Sequence, residues 1–220
     1  MVIAAYIAAC YMMINLWIVP CLGIVISFLG QLPLGNLAVT ATQIHKEEST
    51  SHAWQFAGGV ALVELLYLRL SLLGTTWLQT HSSIFRWLEW IAVLVFALLG
   101  LLSLLSAVRQ APEKKGYLIN NSLPRFLLGM ALSAANAAQI PFWFFWSTYL
   151  LSNHLIHASV AEHNLFAVGA GMGTLLGLGL YIHGGGWLIR RFQLSNKFLN
   201  IFLGIVFLLS ALIQFLQIIF

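Results

Sequence analysis

Six apolar runs set the limits on what this chain can fold into. A helix rising 1.5 Å per residue needs about 20 apolar residues to cross a bilayer. Runs of that order fall at residues 16–44, 53–79, 87–108, 123–151, 162–189 and 198–219, separated by short polar connections. Inside lipid every backbone N–H and C=O must find a partner within the protein, and a helix does this within one segment. Composition agrees: only 7% of the 220 residues are charged, where a soluble domain carries roughly 25%. The sequence predicts an all-α integral membrane protein with six transmembrane helices in a single domain, residues 1–220. Residues 1–15 are apolar too. They lengthen the first helix, lie at the interface or stay poorly ordered; a separate seventh span is disfavoured because no polar break precedes Asn15.

The charges are placed like topology signals. With six spans, the connections after spans 1, 3 and 5 hold Lys46, Arg109, Lys114, Lys115, Arg125, Arg190, Arg191 and Lys197, while the opposite side holds Arg86 alone. Basic loops stay in the cytoplasm, so these connections are expected inside and both termini outside. The net charge of +4 is therefore not a nucleic-acid face. No Lys or Arg occurs before Lys46, so the charged start of a secretory signal is missing. Cys10 and Cys21 read as two small hydrophobes rather than a disulfide or metal pair.

Two of the runs are interrupted. Gln31-Leu32-Pro33-Leu34-Gly35-Asn36 breaks the first, and Gln139-Ile140-Pro141-Phe142, preceded by Asn136, breaks the fourth. Proline removes a backbone donor and clashes with the carbonyl four residues back, which frees Leu29 and Ala137. Such groups are tolerated in a membrane only where protein or a wet cavity covers them. Gln31, Asn36, Asn136 and Gln139 have amides able to meet the freed groups or to hold a substrate.

The breaks belong to an internal repeat. Phe56-Ala57-Gly58-Gly59 with Leu65-Leu66 matches Phe166-Ala167-Val168-Gly169 with Leu175-Leu176 at an offset of 110. The Gln-x-Pro breaks match at 108, and residues of spans 3 and 6 at 111. Three helices per unit (about 1–110 and 111–220) is an odd number, so the second unit enters the membrane from the other side. The expected architecture is two inverted three-helix repeats, with helices 1 and 4 broken and facing each other.

Glu64 is the sharpest chemical signal. It lies about 16 Å along span 2, near the midplane. An ionised side chain there costs on the order of 3 kcal/mol even on a lenient scale. It must face water, pair with a cation or carry a proton, and it is the expected proton-coupling or cation-binding group. Thr174 is its repeat partner and joins the expected site. Arg69 is about 140° round the helix from Glu64; it pairs with another helix, meets a substrate carboxylate or snorkels outward. Gly169, Gly173 and Gly177 form a small-residue packing stripe, on which a homodimer is conceivable. Gly184-Gly185-Gly186 reads as a hinge or a frayed end, His183 as interfacial, and His154, His157 and His163 as outer-loop histidines. Neither metal-binding motifs nor the usual enzyme signatures occur, so no cofactor and no catalytic activity are expected.

Ser27 through Asn36, then Gly58-Gly59 with Glu64, then Asn136 through Trp143, resemble the LysE/RhtB family of bacterial amino-acid exporters, most closely its Bacteroidetes-like branch. Pro33 and Gly35 stand for the family's Pro-Gly motif, Gly59 and Glu64 for its Gly-rich acidic helix, and Asn136 for its Asn-Pro. Leu34 separates Pro33 from Gly35, and Ala137 follows Asn136 where the family has proline. The resemblance implies a bacterial inner-membrane exporter of amino acids or similar zwitterions, driven by the proton gradient or membrane potential. A divalent-metal exporter ranks lower, since hard cations want several carboxylates and only Glu64 is buried. A membrane scaffold that transports nothing is the third reading.

Overall fold

The computed structural model describes residues 2–32, 35–79, 82–108, 122–136, 138–192 and 196–219, with Pro33, Leu34, Ala137 and the basic connection around Lys114 outside them. All regular structure among these residues is helical: α1 Val2–Gln31, α2 Asn36–Glu47, α3 Thr50–Gln79, α4 Ser82–Val108, α5 Arg125–Ala134, α6 Gln139–Ser152, α7 Val160–Phe192 and α8 Asn196–Ile219. Three contain stretches long and apolar enough to cross a bilayer: Thr50–Trp77, Trp90–Val108 and Val160–Gly185. Two bent pairs raise that to five, and the described apolar part of α8, Gly204–Ile219, is shorter. The first residues lengthen the first helix, since α1 runs unbroken from Val2. No hinge opens at Gly184–Gly186, where α7 continues.

Both expected interruptions are present. α1 and α2 meet at 81°, α5 and α6 at 70°. At the first break the chain tightens: the Leu32 N–H donates to the Leu29 carbonyl at 3.3 Å, meeting the group that Pro33 would free. Gly35 then enters α2 with φ −88° and ψ 177°, an extended conformation open to any residue. The second break falls between Ala134 and Gln139, the stretch just ahead of Pro141 from which a proline excludes helix. α5 ends at Ala134 and α6 begins at Gln139, so Pro141 is the third residue of α6. There its missing N–H had no intrahelical partner to lose. The turn is made upstream, where the Asn136 N–H donates to Ser133 and the Asn136 carbonyl accepts from the Gln139 N–H, each at 3.0 Å. Gln31 consequently closes a helix before its break and Gln139 opens one after its own, so the two are not structural counterparts.

Packing repeats itself across the two halves. α1 lies along α7 and α5 along α3. Gly23 lets the Phe166 carbonyl approach and Gly129 lets the Phe56 carbonyl approach; Gly169 receives the Pro20 carbonyl and Gly59 that of Phe126. Each pair of contacts is the same contact made twice, with α3 and α7 related by 110 positions and α1 and α5 by 106. α4 packs on α8, with Gly100 against Leu208 and Gly204 against Leu104. That exchange has an offset of 104, one heptad from the 111 read in the sequence. Seven residues return a helix to nearly the same face, which is how a leucine pattern hides the slip.

The glycine stripe of α7 is used within the chain. Added Cβ atoms on Gly173 and Gly177 would stand 2.9 Å from the Ser27 Cβ and 2.6 Å from the Gln31 Cβ, both on α1. It offers no open face to a second copy. At one end of the bundle Arg125 pairs with Glu48 (2.5 and 2.9 Å) and His45 lies against His183. At the other end His157 meets Glu162 at 3.0 Å. Two of the three apolar clusters fill the interior between them, the third joining α4, α6 and α8 around Phe96 and Phe145. One is built around Ile44, Phe56, Val60 and Leu178; the other around Leu68, Leu72, Trp143 and Phe166. The exposed leucines of α4, Leu94, Leu98, Leu101 and Leu105, recur every three to four residues, as a lipid-facing stripe should.

Candidate site: a buried carboxyl at a helix break

Between the two apolar clusters α3 carries Glu64, 3% exposed. Three neutral donors surround it. Gln31, the last residue of α1, donates Nε2–H to Oε2 at 2.8 Å. Thr174 of α7 reaches Oε2 at 2.9 Å. Ser27, one turn before Gln31, reaches Oε1 at 3.1 Å. Gly173 and Gly177 let α1 come close enough to α7 for these bonds to form. No Lys, Arg or His among the described residues pairs with Glu64.

The hydroxyls are also linked to each other. Ser27 Oγ lies 2.8 Å from Thr174 Oγ1, which is 3.0 Å from the Ala170 carbonyl. Each hydroxyl has one hydrogen to give. With Glu64 ionised, Ser27, Thr174 and Gln31 all donate to it. With Glu64 protonated on Oε1, the proton goes to Ser27, Ser27 donates to Thr174, and Thr174 to Ala170. Gln31 keeps Oε2. Two hydroxyl rotations convert one pattern into the other with no heavy-atom movement and no unmet group. The site can take up and release a proton in place.

Tyrosines, unremarked in the sequence, attend both breaks. Tyr181 of α7 donates its hydroxyl to the Leu32 carbonyl, and Tyr67 of α3 donates to the Ala134 carbonyl at 2.8 Å. Helix repair is thus done largely from the neighbouring helix.

Of the expected site residues, Glu64, Gln31 and Thr174 come together. Gln139 is buried but bonds Ser133 at 3.1 Å, with Ser133 also donating to the Val60 carbonyl at 3.3 Å. Asn36 and Asn136 are half-buried at the first residue of α2 and within the second break, and neither side chain bonds a described residue. Arg69 is half-buried, with no carboxylate in ion-pair range among the described residues. Gly35 caps α2 and Pro141 sits in the first turn of α6, while Pro33 lies outside the described residues. Ser27 and Ser133 were missed. Their signal was Gly-x-x-x-Ser, at Gly23–Ser27 before the first break and at Gly129–Ser133 before the second.

Among the described residues the bundle is helical, with two bent helix pairs and a buried acid beside one bend, and broken helices of this kind are what transport sites are built from. A family model agrees: the chain belongs to the LysE type translocator family, whose model matches residues 28–216. It is therefore a multi-pass membrane transporter of small molecules rather than an enzyme. Comparison with curated proteins and with solved structures finds no match.

Proposed function

We propose that the protein exports small zwitterionic metabolites, amino acids foremost, across a bacterial inner membrane, with Glu64 coupling export to protons. The observation that carries this is the Glu64 network itself: a mid-helix carboxyl held by three neutral side chains, without a cation, and with every bond met in both protonation states. An acid kept only for structure has no need of the second state. Six spans in two inverted repeats complete the reading, with α1–α2, α3 and α4 exchanged for α5–α6, α7 and α8. The doubled glycine contacts support that exchange. The shared end of Glu48, Arg125 and His183 is assigned to the cytoplasm, from the excess of basic residues there.

The half-helices α2 and α6 both begin at the breaks, and neither has a side-chain cap. Such N-termini favour a carboxylate, and Glu64 favours an amino group, so a zwitterion suits both. The test is metabolite profiling of medium from cells with and without the protein. Accumulation of one or more amino acids that Glu64→Gln abolishes supports the reading. Accumulation of a divalent metal instead, or unchanged export by Glu64→Gln, overturns it. Among the described residues no three His, Cys, Asp or Glu side chains converge on one point, so no observation favours the metal reading.

A further inference from the structure

Ser133 carries a hydroxyl where the fold needs none. It is fully buried on α5 and reaches the Val60 carbonyl at 3.3 Å. Val60 lies inside α3, so its carbonyl already receives the N–H of Glu64, four residues on. No orphan group is repaired there, unlike the carbonyls that Tyr67 and Tyr181 meet at the breaks. Gln139, also buried, completes a pair: its Nε2 donates to Ser133 Oγ at 3.1 Å. A buried hydroxyl and a buried amide therefore stand beside the backbone of Glu64. They bond only each other and a carbonyl that has its own donor.

The first half of the chain shows what such a pair can do. Ser27 and Gln31 are the hydroxyl and the amide on α1, and both donate to Glu64. Gly23 receives the Phe166 carbonyl as Gly129 receives that of Phe56, so Ser27 and Ser133, each four residues further on, occupy equivalent places. Thr174 and Glu64 are equivalent as well, in helices related by 110 positions. Exchanging the two halves therefore turns the 2.8 Å contact of Ser27 with Thr174 into a contact of Ser133 with Glu64. Glu64 does not bond Ser133 here; its donors are Ser27, Gln31 and Thr174. Two halves with one packing pattern have two such arrangements, and a carrier made of inverted repeats has two orientations to fill them.

We propose that Ser133 and Gln139 form a second seat for the Glu64 carboxyl, filled when the carrier faces the opposite side, so that each half-cycle passes the carboxyl between the α1 pair and the α5 pair. This rests on the exporter reading and adds two positioning residues to it. Side-chain torsions of Glu64 make the transfer, while α1 and α5 keep their glycine contacts on α7 and α3. To receive the carboxylate, Ser133 turns its one hydrogen away from the Val60 carbonyl, and Gln139 turns an amide hydrogen toward it. Val60 keeps the N–H of Glu64, so nothing buried is left unmet. The hydroxyls of the vacated seat close on each other and on the Ala170 carbonyl, contacts they already hold.

The test uses the full chain in membranes and dicyclohexylcarbodiimide, an apolar reagent that modifies carboxyls in their protonated form. Mass spectrometry of the Glu64 peptide gives the labelling rate. With two seats, Ser27→Ala leaves the carboxylate the α5 pair and Ser133→Ala leaves it the α1 pair, so each single variant should label within about twofold of wild type. The double variant loses a bond to the charged carboxyl in both seats and should label about tenfold faster. If Ser133 serves only packing, Ser27→Ala alone should reach the tenfold rate and Ser133→Ala should add nothing. That result, or single effects that simply multiply to the double, overturns the second seat and leaves the exporter reading standing. The tenfold double effect in a protein that exports no amino acid supports the second seat and removes the exporter reading. Where alanine at position 133 prevents folding, Ser133→Cys, which keeps the volume and donates only weakly, takes its place. Ser133→Ala should also slow the release of amino acids into the medium about tenfold, and release at the wild-type rate overturns the proposal.

Discussion

A single methyl group on Gly173 should damage both the packing and the site. A Cβ there would collide with the Ile24 carbonyl oxygen and stand 2.9 Å from the Ser27 Cβ and 3.0 Å from the Phe28 nitrogen. Comfortable heavy-atom contacts lie at about 3.5–4.0 Å. None of these is the loose end of a long side chain, so α1 must withdraw from α7 by roughly 1 Å. Overpacking of this kind costs about 1–3 kcal/mol. The same shift stretches the Ser27–Thr174 contact, now 2.8 Å, toward the limit near 3.5 Å where a hydrogen bond is lost. Gly74→Ala is the control. Nothing lies within 4 Å of its added Cβ, and alanine gains up to about 1 kcal/mol in a helix. Thermal melts in detergent, with efflux measured in cells, should show Gly173→Ala melting below wild type with impaired export, and Gly74→Ala melting at or above it with normal export. Equal melts and equal efflux for the two variants would refute the claim that the α1–α7 approach builds the site.

Other substitutions separate the remaining parts. Thr174→Ser keeps the hydroxyl and should export almost normally, whereas Thr174→Val removes a donor from a buried acid and should lose most export; similar efflux from both would deny the network its role. Tyr181→Phe strands a half-buried carbonyl at the first break and should cost about 1–3 kcal/mol, whereas Tyr67→Phe, whose bond to Ala134 is exposed, should cost no more than about 1 kcal/mol, both read as lower melting temperatures. Arg125→Ala removes the pair with Glu48 at the bundle end and should cost no more than about 1 kcal/mol, a difference that salt erases. A large salt-independent loss would mean that this pair does more than tie α5 to the α2–α3 turn.

The helix positions were legible in the sequence because lipid solvation is a local rule, readable from the apolar run itself; among the described residues three of the six expected spans are single helices long enough to cross, and the two bent pairs raise that to five. Glu64 was legible for the same reason, as the one acid in the middle of such a run, and the 110-position repeat carried Thr174 with it. What failed depended on distance in space. Pro141 marks the second break, but from inside the first turn of α6, so the turn itself is made upstream at Asn136, a residue its own position did not single out as the turn. Gln139 looked like the partner of Gln31 because both precede x-Pro. Only the helix ends reveal that they stand on opposite sides of their breaks and that Gln139 answers to Ser133. Tyr67 and Tyr181 lie in helices remote in sequence from the carbonyls they meet, and aromatic residues are too common in membrane spans to stand out. The glycine stripe was correctly read as a close-packing face, but its partner was α1 and no second chain was needed.

The most direct test of the coupling claim is uptake of the exported amino acid, once profiling has identified it, into inverted membrane vesicles across an imposed pH gradient. Wild-type vesicles should accumulate it when the interior is acid and stop when the gradient is collapsed. Glu64→Gln vesicles should show no gradient-driven accumulation while the protein remains folded. Accumulation by Glu64→Gln that still follows the gradient would contradict the account, because the proton would then be travelling by a route that does not pass through Glu64.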